Sequence, residues 1–269
     1  MVRRIMATRL RQVALIAQQL DPVVDDVRAV FGLEVGFTAE DEIALRGPGL
    51  VDEFGITNAV LPVGDTFLEV ISPQRPDTPA ARFLAARGGD SGYMVLLQCS
   101  GLAEVRRRLA EAGVREVWES PLPDIHGVHL DPRDTGGILF SVEEPDDPAE
   151  WPWAGPNWRA ARRIEVSSAI VGAELKTADP WASARQWGHF LDRPVTARPD
   201  GTPLLHLGAT ADGWIGFRPG AHPRDTGLHE VVLRCADPAD VLHRAASRDL
   251  PVADGAAVVA GVLLRPEGD

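Results

Sequence analysis

A single carboxylate, Glu69, interrupts one of the more apolar stretches of the chain. Residues 66–73 (Thr-Phe-Leu-Glu-Val-Ile-Ser-Pro) are rich in aromatic and β-branched types and end at Pro73, which predicts a β-strand. Side chains alternate across a strand, so Glu69 shares a face with Phe67 and Ile71. A carboxylate in this position needs a charged partner, a bound metal ion or a role as an acid or base.

The sequence leaves these three roles of Glu69 open. A base is chemically sensible, because desolvation between Phe67 and Ile71 raises the pKa of a carboxylate toward neutrality. Such a group is suited to take a proton from a carbon beside a carbonyl.

Histidines cluster in one stretch, residues 124–131 (Asp-Ile-His-Gly-Val-His-Leu-Asp). Alternation along a strand puts His129 and Asp131 on one face and Leu130 on the other. The cluster could line a ligand pocket, and it could equally be a polar group at a loop edge. The sequence leaves both interpretations open.

Composition excludes several classes of function. Lys and Arg total 27 against 39 Asp and Glu, a formal net charge of −12, which argues against nucleic acid or an anionic membrane as the main partner. No apolar run approaches the length of a membrane-spanning helix. The basic start of the chain lacks the apolar stretch of a signal peptide, so we expect a cytoplasmic location.

The elements that position these residues recur along the chain. A strand over 10–20, a helix opened by Asp21 as N-cap and ended by Gly32, and strands near 33–37, 56–62 and 66–72 form one unit. A short helix from Thr78 to Gly88 follows. The order then restarts with a strand over 93–99, a helix capped by Ser100, and strands near 114–118, 126–130 and 137–143. The sequence therefore predicts one βαβββ unit twice over.

The second half of the chain repeats the first. Residues 95–105 align with residues 231–241, and both segments run from a Cys-containing strand into a helix. We expect four units paired into two domains, residues 1–143 and 163–269. Between them, residues 144–162 read as a Pro/Trp-rich linker without a regular element, pinned to the surface by its three tryptophans, Trp151, Trp153 and Trp158.

Four βαβββ units in one chain resemble the vicinal oxygen chelate superfamily, which includes glyoxalase I, methylmalonyl-CoA epimerase, extradiol dioxygenases and bleomycin-resistance proteins. The most specific part of the resemblance is residues 67–73 followed by residues 79–88, similar to the segment that joins the first two units in epimerases and glyoxalases. The resemblance implies an α+β fold with four modules paired into two curved mixed-sheet domains. It also implies a pocket with one metal ligand on each of four inward-facing strand positions.

In the N-terminal domain the four family positions fall on Gln12, Glu69, Met94 and Ser141. Gln12 stands where the family commonly has His and some glyoxalases have Gln, and Glu69 fits the family pattern. Met94 and Ser141 replace a His and a Glu, so two of four positions lack a competent ligand for a hard divalent ion. A register slip could bring in His129 or Glu143, although a slip of one residue would turn Glu143 outward. The cofactor stays unknown, and no metal ligand is assigned firmly.

The C-terminal domain departs further from the family pattern. Its matching positions are Gly172 or Ile170, Gly216, Glu230 or His229, and Arg265. A dioxygenase of this architecture needs two His and one Glu there to hold iron(II). That set is absent, so the sequence does not support catalytic iron in this half.

Two functions follow as hypotheses. The first is a lyase or isomerase that moves a proton on a small carbonyl-containing molecule with weak or no metal dependence. Glu69 would be the base, Gln12 and His129 would orient the substrate, and Phe67, Met94 and Ser141 would complete the binding surface. The second is a non-catalytic small-molecule binder of the bleomycin-resistance type, favoured by Met94 and Ser141. Since one chain carries all four units, we expect a monomer or homodimer whose partner is a small molecule.

Overall fold

The computed structural model describes residues 7–208 and 213–268 and contains two eight-stranded mixed sheets with helices. The strands of the first sheet are β1 (Thr8–Ile16), β2 (Phe37–Thr38), β3 (Ile56–Val63), β4 (Thr66–Pro73), β5 (Ser91–Cys99), β6 (Glu116–Glu119), β7 (Ile125–Leu130) and β8 (Leu139–Pro145). Those of the second are β9 (Ser167–Thr177), β10 (Val195–Ala197), β11 (Pro203–His206), β12 (Trp214–Pro219), β13 (Gly227–Cys235), β14 (Val252–Ala253), β15 (Ala256–Val259) and β16 (Val262–Glu267).

The two sheets have the same topology. Their strand orders are β2-β3-β4-β1-β5-β8-β7-β6 and β10-β11-β12-β9-β13-β16-β15-β14. Within each module the first strand pairs in parallel with the last, and the last three strands pair antiparallel, as in β1–β4 and β2–β3–β4. The predicted α+β architecture of four βαβββ modules is confirmed.

Eight α-helices accompany the described strands: α1 (Leu20–Phe31), α2 (Ala39–Arg46), α3 (Gly49–Phe54), α4 (Pro79–Arg87), α5 (Leu102–Glu111), α6 (Trp158–Ala161), α7 (Pro180–Leu191) and α8 (Pro238–Ser247). Within this described part of the chain, none is long and apolar enough to cross a membrane.

The helix ends that the sequence predicts at Gly32, Thr78 and Gly88 are found in the structure. Gly32 ends α1 in the left-handed conformation, and α4 runs from its N-cap Thr78, whose hydroxyl accepts from Ala81 N, to Gly88. The start predicted for α1 is wrong, because the helix begins one residue before Asp21. Asp21 lies in the first turn, where its charge still favours the helix dipole.

The predicted cap of α5 is also wrong. Gly101, not Ser100, is the N-cap, and the carboxylate of Glu144 accepts from the backbone N–H groups of Gly101 and Leu102. The hydroxyl of Ser100 instead accepts from Ala7 N. A residue far along the chain satisfies these helix donors, which local sequence patterns do not reveal.

The strand predicted near residues 33–37 is only the two-residue β2, and helices α2 and α3 follow it. Thr38 and Asp41 form a reciprocal capping box at the start of α2. The first module thus carries a helical insertion before β3 that the sequence pattern did not predict.

The segment 144–162 is more ordered than its composition predicts. It contains a 3₁₀ turn at Pro152–Ala154 and the short helix α6, and Trp151 and Trp158 are fully buried instead of lying on the surface. Buried Arg11 donates to the carbonyls of Ala149 and Glu150. Backbone carbonyls of this segment are therefore part of the packed structure.

The described residues divide into two compact units. One comprises residues within 1–11, 94–152 and 171–228, and the other comprises residues within 12–93, 153–170 and 229–269. In the first unit, Phe140 stacks on Trp187 at 4.1 Å between ring centroids. In the second, α1 packs its valines against β3 and β4.

Candidate functional site

Strand pairing places Gln12 and Glu69 on one face of the first module. In the parallel pair β1–β4, Gln12 is opposite Phe67 and Ala14 is opposite Glu69. In the antiparallel pair β3–β4, Val60 is opposite Glu69 and Asn58 is opposite Ile71. Since directly opposed residues share a face, side chains from three neighbouring strands converge on Glu69.

Two amides hold the carboxylate of Glu69. Asn58 donates from Nδ2 to Oε1 at 2.7 Å, and Gln12 donates from Nε2 to Oε2 at 2.8 Å. Each oxygen thus receives one hydrogen bond from a side-chain amide and retains a further lone pair. These two hydrogen bonds therefore fix the orientation of the Glu69 carboxylate and leave each oxygen able to accept another hydrogen bond.

Burial raises the pKa of Glu69, and the hydrogen bonds from Asn58 and Gln12 lower it by less. The side chain nevertheless keeps part of its surface accessible, whereas Gln12 is 2% exposed. Glu69 is thus a residue with a desolvated carboxylate and partial exposure to solvent.

Apolar groups flank Glu69 along β4. Phe67 is buried and packs edge-to-face with the Trp158 ring, with 5.0 Å between ring centroids. Ile71 belongs to a cluster against which Phe83 and Tyr93 pack. Burial and the negative charge of Glu69 raise the pKa of Tyr93 to about 12, so its hydroxyl stays protonated at neutral pH.

Sequence reasoning missed Asn58, Tyr93 and Trp158. Asn58 could have been found from the hairpin of β3 and β4, because the Gly64-Asp65 turn sets the register that brings it beside Glu69. Nothing in the local sequence points to Trp158, whose contact with Phe67 is long-range.

The remaining predicted residues lie in the other compact unit. In the parallel pair β5–β8, Met94 is opposite Leu139 and Leu96 is opposite Ser141. Met94 and Ser141 therefore occupy the register positions of Gln12 and Glu69, as expected from the repeat. Met94 is 5% exposed and Ser141 is fully buried.

His129 lies directly opposite Ser141 in the antiparallel pair β7–β8, and its ring lies against Trp118 at 4.3 Å between centroids. Burial lowers the pKa of His129 to about 4, so the imidazole is neutral at physiological pH. The Ser141 hydroxyl has no hydrogen-bond partner among the described residues. A ligand can reach that hydroxyl only if its neighbours move.

Asp131 does not accompany His129 along the strand. It follows β7, and its carboxylate accepts from Arg133 and makes an ion pair with Arg115. Glu143 is inward and fully buried, two residues beyond Ser141, and a Cβ on Gly127 would collide with its carboxylate. Asp131 thus holds the turn after β7 through its ion pairs with Arg115 and Arg133.

In the two C-terminal modules, protein side chains fill the space around the positions that correspond to Gln12 and Glu69. Gly172 and Gly216 hold the register of Gln12 and Glu69, and a Cβ on Gly216 would collide with Arg198 and with Glu174, which form an ion pair. In the fourth module Arg265 donates to both oxygens of Glu230, at 2.6 and 2.9 Å. Neither module offers a carboxylate comparable to Glu69.

The donor set does not fit a hard divalent ion. Both oxygens of Glu69 accept amide hydrogens, Met94 offers a soft thioether, and the hydroxyl of Ser141 is buried. Across the described ranges, no group of three or more His, Cys, Asp or Glu side chains is placed to hold a metal. No chemical step is therefore assigned to a metal.

Sequence comparison finds similarity to acyl-CoA epimerases, although no family model matches the chain. The chain is 26% identical over 139 residues to the mitochondrial methylmalonyl-CoA epimerase of Bos taurus, covering 51% of this chain and 74% of that protein. It is 27% identical over 143 residues to the ethylmalonyl-CoA/methylmalonyl-CoA epimerase of Cereibacter sphaeroides, covering 52% of this chain and 99% of that protein.

Structural comparison covers nearly the whole chain. A hypothetical protein from Staphylococcus aureus matches 97% of this chain and 100% of its own with a TM-score of 0.66 at 12% identity. A mutant of 4-hydroxymandelate synthase from Streptomyces coelicolor matches 91% of this chain and 76% of its own with a TM-score of 0.64 at 15% identity. The fold is glyoxalase-like along both halves of the chain.

Proposed function

We propose that this chain is a glyoxalase-like isomerase that transfers a proton at the carbon beside a carbonyl group, with acyl thioesters as the substrate class. The observation that carries the proposal is Glu69: a partly exposed residue whose carboxyl pKa is raised by burial and whose two oxygens are oriented by amide donors. The similarity to two acyl-CoA epimerases supports the thioester class.

In the proposed reaction, an oxygen of Glu69 takes the proton from the carbon next to the carbonyl. The electron pair of that C–H bond moves into the new C=C bond, and the carbonyl oxygen becomes the enolate oxygen. Return of the proton to the same face would regenerate the substrate, so for isomerisation the planar enolate turns over in the site and Glu69 then delivers the proton to the opposite face of that carbon. Asn58 and Gln12 keep the carboxylate aligned through both steps, which lowers the cost of reaching the reacting geometry.

The roles of the other predicted residues are part of the proposal. Gln12 acts on the substrate through Glu69, since its amide is already donated to that carboxylate. His129, which is neutral and partly accessible, is assigned with Met94 and Ser141 to small-molecule binding on the second module alone, and Phe67 is assigned to the buried side of Glu69 on the first module. The reaction is expected to need little or no metal.

The domain organisation is also proposed. The N-terminal domain, residues 1–143, carries the site, and the C-terminal domain, residues 163–269, stabilises the fold. The ion pairs Glu174–Arg198 and Glu230–Arg265 support this division, because they fill the space around the register positions at which the first module presents Gln12 and Glu69.

Proton exchange with solvent tests the proposal even while the product is unidentified. A panel of acyl thioesters and ketones with an acidic α C–H group is incubated in D₂O with the protein, and loss of the α-proton signal is followed by NMR. We expect catalysed exchange of at least one probe by the wild type and a loss of at least about a hundredfold in Glu69→Gln. Equal exchange by the two proteins would reject Glu69 as the base.

A non-catalytic binder is the second candidate, favoured by Met94 and Ser141 at positions where a second acid or ligand would stand. The same D₂O experiment separates the two functions. A probe that binds the wild type and is recovered with its α-proton intact identifies a binding protein.

A further inference from the structure

The charge around Glu69 restricts which substrates can approach it. Its hydrogen-bond partners, Asn58 and Gln12, are uncharged amides. Throughout residues 7–208 and 213–268, no Arg, Lys or His makes an ion pair with Glu69 or shifts its titration. Among the described residues, the negative charge of this carboxylate is thus not balanced by a cationic side chain.

The neighbouring groups give little dielectric screening. Phe67 and Ile71 flank Glu69 on its own strand, Val60 lies opposite it, and all three are buried. Charges in such surroundings interact more strongly than in water, because the effective dielectric constant is lower. A second negative charge placed beside Glu69 would be strongly repelled.

From this arrangement we infer that the substrate is uncharged around its reacting carbon: a neutral acyl thioester or ketone, and not a malonyl-type compound with a free carboxylate on that carbon. The inference rests on the proposed function, since it assumes that this carbon is brought to Glu69. It keeps the thioester class but excludes the malonyl-type substrates for which the epimerase relatives are named.

The proton transfer itself conserves charge when the substrate is neutral. Glu69 begins with one negative charge and becomes neutral on taking the α-proton, while the enolate oxygen gains the charge. The site therefore holds one negative charge before and after the step. A malonyl-type substrate would bring a second negative charge beside Glu69. The repulsion between the two carboxylates would favour protonation of one of them before reaction, and a protonated Glu69 cannot take the α-proton.

Binding of two matched probes tests the inference. The probes are the N-acetylcysteamine thioesters of 2-methylbutanoate and of methylmalonate, and their affinities are measured by ligand-observed NMR at neutral pH. We expect the wild type to bind the neutral probe at least about tenfold more tightly. In Glu69→Gln the difference should shrink, because the repelling charge is gone. Glu40→Gln, which removes an exposed carboxylate from α2, is the control for net charge and should keep the wild-type preference.

A second variant keeps the inference testable if Glu69→Gln does not fold. Asn58→Lys places a cation beside Glu69 and should improve binding of the methylmalonate probe relative to the neutral one. Tighter wild-type binding of the methylmalonate probe, equal binding of both, or binding of neither overturns the inference. Selective binding of the neutral probe without α-proton exchange in D₂O would reject the proposed proton transfer and leave the charge selectivity standing.

Discussion

At the scale of single residues, the environment of Glu69 differs from that of an ordinary surface carboxylate. Burial raises its pKa, and two neutral amides offset part of the shift. The folded protein therefore holds this proton more tightly than the unfolded chain does. This difference has a measurable consequence for stability.

The stability contributed by protonated Glu69 is fully present below the ordinary carboxyl pKa of 4.5 and is lost as pH rises through the raised folded value. Glu69→Gln cannot ionise, so it lacks this loss. We expect the wild-type free energy of unfolding to fall relative to that of Glu69→Gln as pH rises above 4.5 in urea titrations. Parallel curves for the two proteins would show that the folded pKa is not raised.

Ser141 is a buried residue at one of the four family ligand positions, and the structure shows no function for its hydroxyl. Its hydroxyl is fully buried and has no hydrogen-bond partner among the described residues, which is unfavourable relative to an apolar side chain. We expect Ser141→Ala to leave the melting temperature unchanged or to raise it.

Thr135 gives the contrasting case. Its buried hydroxyl donates to Ile138 O at 2.6 Å, so Thr135→Val should cost about 1 kcal/mol through the lost hydrogen bond. A clear loss of stability in Ser141→Ala, equal to that in Thr135→Val, would mean that the Ser141 hydroxyl is satisfied in solution.

At the scale of elements, the segment 144–162 supports the site from outside the strands. Trp158 on α6 covers Phe67 on β4 at 5.0 Å between ring centroids, and both rings are buried. Phe67 is two residues from Glu69 on the same face, so this contact helps to keep water from one side of the carboxylate.

Trp158→Ala should remove about 3–5 kcal/mol from the free energy of unfolding, the usual cost of truncating a buried tryptophan. It should also open Phe67 to solvent and bring the pKa of Glu69 closer to its ordinary value. Chemical denaturation measures the first effect. Trp181→Ala, at a partly exposed position on α7, is the matched control and should cost less.

At the scale of the whole molecule, the sequence repeat predicted the architecture correctly because hydrophobic periodicity and turn residues recur in every module. The strand with Glu69 and the helix α4 follow directly from β-branched residues, Thr78 and Gly88. The register of β1 with β4 and of β5 with β8 also agrees with the family positions inferred for Gln12, Glu69, Met94 and Ser141.

Features that depend on distant contacts could not be predicted. The cap of α5 uses Glu144, and Phe67 is covered by Trp158, which is distant in sequence. The helices α2 and α3 follow β2 in a segment where no element was predicted, and Thr38 and Asp41 form a capping box at the start of α2. The register of the β3–β4 hairpin could have placed Asn58 beside Glu69, although only the structure shows that its amide donates to the carboxylate.

The central claim is that Glu69 takes a proton from carbon, and the pH dependence of α-proton exchange in D₂O tests it most directly. For the most rapidly exchanged probe, the wild-type rate should rise with pH as Glu69 ionises and level off above its raised pKa. Asn58→Leu removes a hydrogen bond that lowers this pKa, so its profile should lie at higher pH. A wild-type profile retained in Glu69→Gln would contradict the assignment of Glu69 as the base.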